Sequence, residues 1–103
     1  LKRALKINAN HPTYLESMGW LEYREGNLKQ ALAYLEKAHS LSDNPSIATR
    51  LGEVFFALKK TSNAHSTWQK AYKTNPQLPL LINTLERLKI FSCFLGLRTN
   101  HKN

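Results

Sequence analysis

Gly19 and Gly52 lie inside stretches that otherwise read as helix, where a glycine costs about 1 kcal/mol relative to alanine. They are related by a shift of 33 residues. The same shift lays Met18 on Leu51, Ala31 on Ala64, Leu35 on Trp68 and Ala38 on Ala71. A shift of 34 lays Leu1 and Ala4 on Leu35 and Ala38. Small residues recur while the polar ones between them do not. That is the mark of a packing constraint, because only a small side chain lets two helices approach closely. The chain is therefore a repeat protein, and each unit must supply the surface that buries the next.

Each unit reads as two helices. Asn44-Pro45 offers an N-cap followed by proline in the first turn, and His11-Pro12 a weaker version of the same start. The first helix of unit one is expected from about Thr13 to Glu25, with Leu15, Met18, Gly19 and Glu22 on one face. Gly26 ends it by taking a positive φ. Asn27 is expected to cap the next helix, with Gln30 as capping-box partner. That helix runs to about Leu41 and buries Leu28, Ala31, Leu35 and Ala38. Unit two repeats the pattern from about Ser46 to Leu58 and from Ser62 to Thr74. A fifth helix follows Pro79, with Leu81, Ile82, Leu85 and Leu88 on its apolar face.

These residues resemble the tetratricopeptide repeat, whose unit carries W-x2-L-G-x2-Y…A-x3-F…A…P over 34 residues. Unit two matches as Ala48-x2-Leu51-Gly52-x2-Phe55, Ala64-x3-Trp68, Ala71 and Pro76; unit one as Leu15-x2-Met18-Gly19, Ala31-x3-Leu35 and Ala38. Departures are Glu22 where an aromatic is usual, Lys59 where unit one has Gly26, and a junction one residue short at Asp43-Asn44. The resemblance implies an all-α solenoid, a right-handed superhelix of antiparallel helix pairs closed by a C-terminal capping helix. Its expected parts are 1–11 as the end of a preceding repeat, repeats at 12–44 and 45–78, a capping helix at 79–91 and a tail at 92–103. The stretches "HPTYLESMGWLEYREGNLKQALAYLEKA" and "PSIATRLGEVFFALKK" are more narrowly similar to the last repeats of proteobacterial tetratricopeptide proteins, some of them envelope lipoproteins. That likeness implies a bacterial cytoplasmic or periplasmic setting, with any lipid anchor upstream of Leu1.

Composition agrees with a folded domain: of 103 residues 42% are hydrophobic and 21% charged, too apolar for disorder. A domain this size buries roughly 65% of its unfolded surface, so its core is thin. One cysteine, Cys93, rules out an internal disulfide framework. Flanked by Phe91 and Phe94, it reads as a buried, inert thiol. The chain opens at Leu1-Lys2-Arg3 with no apolar run behind it, as a piece of something longer would. The longest apolar stretch, from Ile90 to Leu97, is far below the ~20 residues of a membrane span.

Catalysis finds no foothold. The four histidines, at 11, 39, 65 and 101, have no metal-ligand spacing. No nucleophile elbow, P-loop or dinucleotide fingerprint is present. Glu22 and Glu25 are a surface pair at helical spacing. No enzyme activity and no cofactor are expected.

The remaining candidate is a surface. In the family it resembles, the first helices of successive units line a concave groove that holds a peptide or a partner's surface. In unit one that face carries Thr13, Glu16, Ser17, Trp20 and Arg24, with Tyr23 at its margin. In unit two it carries Ser46, Thr49, Arg50, Glu53 and Ala57, with Phe56 beside them. Asn83 and Arg87 of the last helix complete the row. Trp20, alone on a polar face, reads equally as a binding anchor or as packing against the neighbouring unit. Relatives that grip the C-terminal carboxylate of chaperones use a Lys, an Asn and a further Asn on two groove helices. The matching positions are Glu16, Trp20 and Arg50, so that clamp is absent.

Charge supplies the competing reading. Residues 1–58 carry a net +1 and residues 59–103 a net +7, which suits an anionic partner, nucleic acid included. Without a basic run, the solvated-face reading outweighs it, and nucleic acid is the less expected partner. A third reading is structural, with the segment spacing a longer array or associating with itself through exposed array ends.

Overall fold

The computed structural model describes residues 11–88, and five helices account for most of them. They are α1 (Pro12–Arg24), α2 (Leu28–Leu41), α3 (Pro45–Ala57), α4 (Thr61–Thr74) and α5 (Pro79–Arg87). Among the described residues there is no strand. The fold is all-α and TPR-like. Helix α1 packs on α2 and α3 on α4, α2 packs on α3 between the units, and α5 closes on α3 and α4. The expected stub before residue 11, Cys93 and the tail lie outside the described residues, as do residues 89–91 of the expected capping helix.

Proline opens α1, α3 and α5, where a missing N–H costs nothing. Asn44 caps α3 as expected, its Oδ1 accepting from Ser46 N at 2.9 Å. The expected capping box at α2 does not form. Asn27 makes no side-chain cap; its Nδ2 instead donates to Glu22 Oε1 at 2.8 Å. The reason is the turn before it. Asn27 N donates to Glu22 O and Gly26 N to Tyr23 O, the Schellman pair that ends α1, with Gly26 at φ +88°. That turn sets Asn27 back beside Glu22.

The α3–α4 turn repeats the pattern: Lys60 N donates to Phe55 O and Lys59 N to Phe56 O. Lys59 takes φ +68°, the left-handed conformation that Gly26 takes in unit one. The departure seen in the sequence thus changes the residue and leaves the turn unchanged.

The glycines do what their spacing demands. A Cβ on Gly19 would stand 2.6 Å from Leu35 Cγ, and one on Gly52 would stand 2.6 Å from Trp68 Cδ1. Real Cβ atoms do not come this close, so α1 meets α2, and α3 meets α4, through a missing side chain. Trp68 is wholly buried and donates from Nε1 to Thr49 O at 3.0 Å. Around it lies the main core: Ala31 and Leu35 from unit one, Ala48, Leu51, Val54, Phe55, Ala64 and Ala71 from unit two, and Leu81 and Leu85 from α5. Leu15, Ala38 and Ile47 form a smaller cluster with Tyr34 against it. Leu28, expected in the core, is only half-buried.

Candidate functional site

Helices α1, α3 and α5 stand side by side, and their shared side holds the residues singled out in the sequence. Two ion pairs cross it. Arg50 Nε of α3 lies 3.1 Å from Glu16 Oε2 of α1, close enough for an ion pair but too far off line for a hydrogen bond. Ser46 Oγ donates to the same Glu16 oxygen at 3.2 Å. The second pair joins α5 to α3: Arg87 Nη2 donates to both oxygens of Glu53, 2.9 Å to each. Tyr23 Oη of α1 donates to Glu53 Oε2, also at 2.9 Å.

Glu53 is 3% exposed, and a buried carboxylate must be paired and hydrogen-bonded to stay charged. Tyr23 and Arg87 do this from opposite flanks. The cost falls on Tyr23, whose phenol is pushed up to about 12, chiefly by burial and then by the hydrogen bond and charge of Glu53. Arg87 is held above its ordinary value by its hydrogen bond to Glu53.

Trp20 sits between these two pairs. It is half-buried, stacked on Tyr23 with ring centroids 4.7 Å apart, and has the Arg50 guanidinium carbon 4.3 Å from its ring centroid. A cleft of about 420 Å³ opens beside it, lined by Glu16, Ser17, Trp20, Leu21, Arg24 and Arg50. Arg24 is exposed and has no ion pair among the described residues. The cleft thus offers apolar surface from Trp20 and Leu21 beside guanidinium groups.

The structure sorts the expected groove residues into three kinds. Glu16, Ser17, Trp20, Arg24 and Arg50 share the cleft. Thr13 and Asn83 are exposed but do not line it. Two expectations are corrected. Thr49 is wholly buried, its Oγ1 donating to Pro45 O at 2.8 Å, so it cannot line a groove. Glu53 is buried too, because α5 lies across it and Arg87 and Tyr23 take up its carboxylate in a clasp; Tyr23 stays half-buried and Arg87 exposed at its edge. Leu21, 40% exposed on the cleft wall, was missed. The signal was its counterpart one unit on, Val54, which is wholly buried; the same position in α1 has nothing comparable covering it among the described residues.

Among the described residues no three His, Cys, Asp or Glu side chains converge as metal ligands do. None of the described helices is long and apolar enough to cross a membrane.

No family model matches the chain. Over 51 residues, half of its length, it is 41% identical to the TPR repeat-containing protein PA4667 of Pseudomonas aeruginosa. The chain is related to TPR proteins. The matched segment spans only 9% of that relative's length. One feature of the TPR pattern is visible in the fold: the glycine under a large residue of the partner helix.

Proposed function

We propose that this chain is a non-catalytic protein-interaction segment that holds a peptide or a partner's surface at the Trp20 cleft. The observation that carries this reading is the half-exposed Trp20 and the exposed Leu21 beside Arg24, a cation with no ion pair among the described residues. Tryptophan and arginine are the residue types that most often anchor a partner. The distribution of charge sharpens it. Arg87 is spent on Glu53 and Arg50 is paired with Glu16, so an acidic group of the ligand would be read at the α1 end, by Arg24.

Residues 12–44 and 45–78 are the two repeats in this reading, and α5 begins the closing helix. Its support is Glu86, exposed, seven residues after Pro79. Gly19 and Gly52 stand seven residues after Pro12 and Pro45. A glutamate there leaves no close approach for a further helix.

A contact on so small a surface, below ~1,200 Å², belongs to the weak and transient class, which suggests micromolar affinity, about −8 kcal/mol. The test is to pan a random peptide library against the full chain. Selected peptides should pair an acidic with an apolar residue, and should bind the Trp20→Ala variant about 30-fold more weakly, the equivalent of ~2 kcal/mol. Peptides that bind the variant equally well would remove Trp20 as the anchor and this reading with it.

A further inference from the structure

The Trp20 cleft holds more charge than it offers. Its lining carries one carboxylate, Glu16, and two guanidinium groups, Arg24 and Arg50, a formal net of +1. Glu16 of α1 and Arg50 of α3 meet at 3.1 Å, with side-chain exposures of only 15% and 25%. Ser46 Oγ donates to the same Glu16 oxygen at 3.2 Å and fixes it there. Arg50 is further engaged by the Trp20 ring, 4.3 Å from its guanidinium carbon. Arg24 is exposed and has no ion pair among the described residues.

A partly exposed ion pair contributes little to stability. Its field still acts on whatever enters the cleft. All three charges line a space of about 420 Å³, where an occupant stands within about one Debye length of each, ~8 Å at physiological salt. A ligand with one negative charge can place it on Arg24. A second negative charge would find Arg50 already taken and the Glu16 carboxylate beside it. Spacing narrows the ligand further. Trp20 and Leu21 stand four and three residues before Arg24 on α1, which makes them surface neighbours about 5–6 Å apart. The ligand's carboxylate and apolar group must be equally close, within about two residues of an extended chain at ~3.3 Å each.

We propose that Glu16 is the specificity-determining residue of the Trp20 cleft, limiting it to peptides with a single carboxylate beside an apolar residue and turning away doubly charged groups such as a phosphorylated side chain. The inference rests on the peptide-binding reading of that cleft and adds the class of peptide. Discrimination between similar ligands comes from a repulsive element as much as from an attractive one. Glu16 is that element, and Arg24 is the attractive one. A phosphoserine carries a charge of about −1.5 to −2 at neutral pH, more than one unpaired arginine neutralises. Glu16 thus acts twice: it removes Arg50 from the ligand's reach, and it repels the excess charge.

The test uses the full chain and a fluorescent peptide recovered by the panning above, made with glutamate, glutamine or phosphoserine at its acidic position and read by anisotropy. The parent should bind the glutamate form about tenfold more tightly than the glutamine form, and several-fold more tightly than the phosphoserine form. Glu16→Gln, with folding verified by circular dichroism, should bind the phosphoserine form about tenfold more tightly than the parent does, because Arg50 is then free to grip phosphate beside Arg24. Its preference should thereby reverse. Arg24→Gln, a change at an exposed residue, should bind the glutamate and glutamine forms alike. A Glu16 that only joins α1 to α3 would, when replaced, weaken all three forms together and leave their ratios unchanged. That result overturns the proposal, as does a parent that prefers phosphoserine or an Arg24→Gln variant that still prefers glutamate. Peptides that bind Trp20→Ala as well as the parent would instead remove the underlying reading of the cleft, and the filter with it.

Discussion

Arg87 Nη2 places both its hydrogen bonds on the carboxylate of Glu53, 2.9 Å from each oxygen and 34 residues back along the chain. The carboxylate is nearly covered, while the arginine side chain is 55% exposed. With Tyr23 on the other flank, this one carboxylate ties α1, α3 and α5 together. In a repeat fold each unit touches only its neighbours, so a residue that engages both is placed to make the two units unfold as one.

Arg87→Ala should therefore cost more than an exposed arginine usually does. Removing the partner of a buried carboxylate forfeits hydrogen bonds to a charged group, of about 1.5–3 kcal/mol, less what water regains at the exposed edge. A loss of about 2 kcal/mol in urea unfolding is expected. Because the Glu53→Gln/Arg87→Ala pair shares one interaction, the double variant should lose less than the sum of the singles. Strict additivity would show that the two residues stabilise the fold independently.

Tyr23 gives the clasp a pH signature. Its pKa is raised by the fold, from 10.0 to about 12, so the proton is held more tightly folded than unfolded. The contribution is fully present below pH 10, the unfolded value, and is lost as pH rises toward 12. Absorbance at 295 nm should show one of the four tyrosines titrating late. Tyr23→Phe should abolish that late step and flatten the fall in stability between pH 10 and 12 relative to the parent. An unchanged alkaline profile in Tyr23→Phe would assign the late step to another tyrosine.

The two helix-interior glycines should not be equally sensitive. At Gly19 a new methyl meets Leu35, a side chain with rotamers to choose from. At Gly52 it meets the indole of Trp68, wholly buried and pinned by its hydrogen bond to Thr49 O. Overpacking costs about 1–3 kcal/mol, and the gain in helix propensity returns up to ~1 kcal/mol. Gly52→Ala should thus destabilise by about 2 kcal/mol and Gly19→Ala by roughly half that, in thermal or urea unfolding. The reverse order would mean that Trp68 can yield where Leu35 cannot.

The packing side of this fold was legible because it is periodic. Small residues at a fixed shift named the helix contacts, and the prolines marked where helices start. The surface was harder to read. Spacing alone gives the direction a side chain points but not what lies across it. Thr49 and Glu53 share a helix face with Arg50, yet the first turns back onto Pro45 O and the second is covered by α5. One signal was available. Glu16 and Arg50 are 34 residues apart, as are Glu53 and Arg87, so a Glu–Arg relation recurs at the repeat length, where a free binding surface has no reason to repeat. The capping box failed for a different reason: Asn27 and Gln30 have the right spacing, but the Schellman turn takes Asn27 first.

Lys59 offers the cleanest stability test, since its strain is local and its side chain is exposed. It occupies φ +68° where the other unit has Gly26 at φ +88°, and the two turns carry the same pair of backbone hydrogen bonds. A side chain in the left-handed region costs about 1–2 kcal/mol, partly offset by the greater freedom glycine has to lose on folding. Lys59→Gly should therefore stabilise the protein by roughly 0.5–1 kcal/mol, and Gly26→Ala should destabilise it by a similar amount. Nothing lies within 4 Å of a Cβ on Gly26, so steric crowding would not confuse that comparison. Urea midpoints for the two variants and the parent, with unchanged m values, would give both numbers. Should Lys59→Gly instead weaken the fold, the Lys59 side chain must be making a contact that outweighs the strain of its backbone.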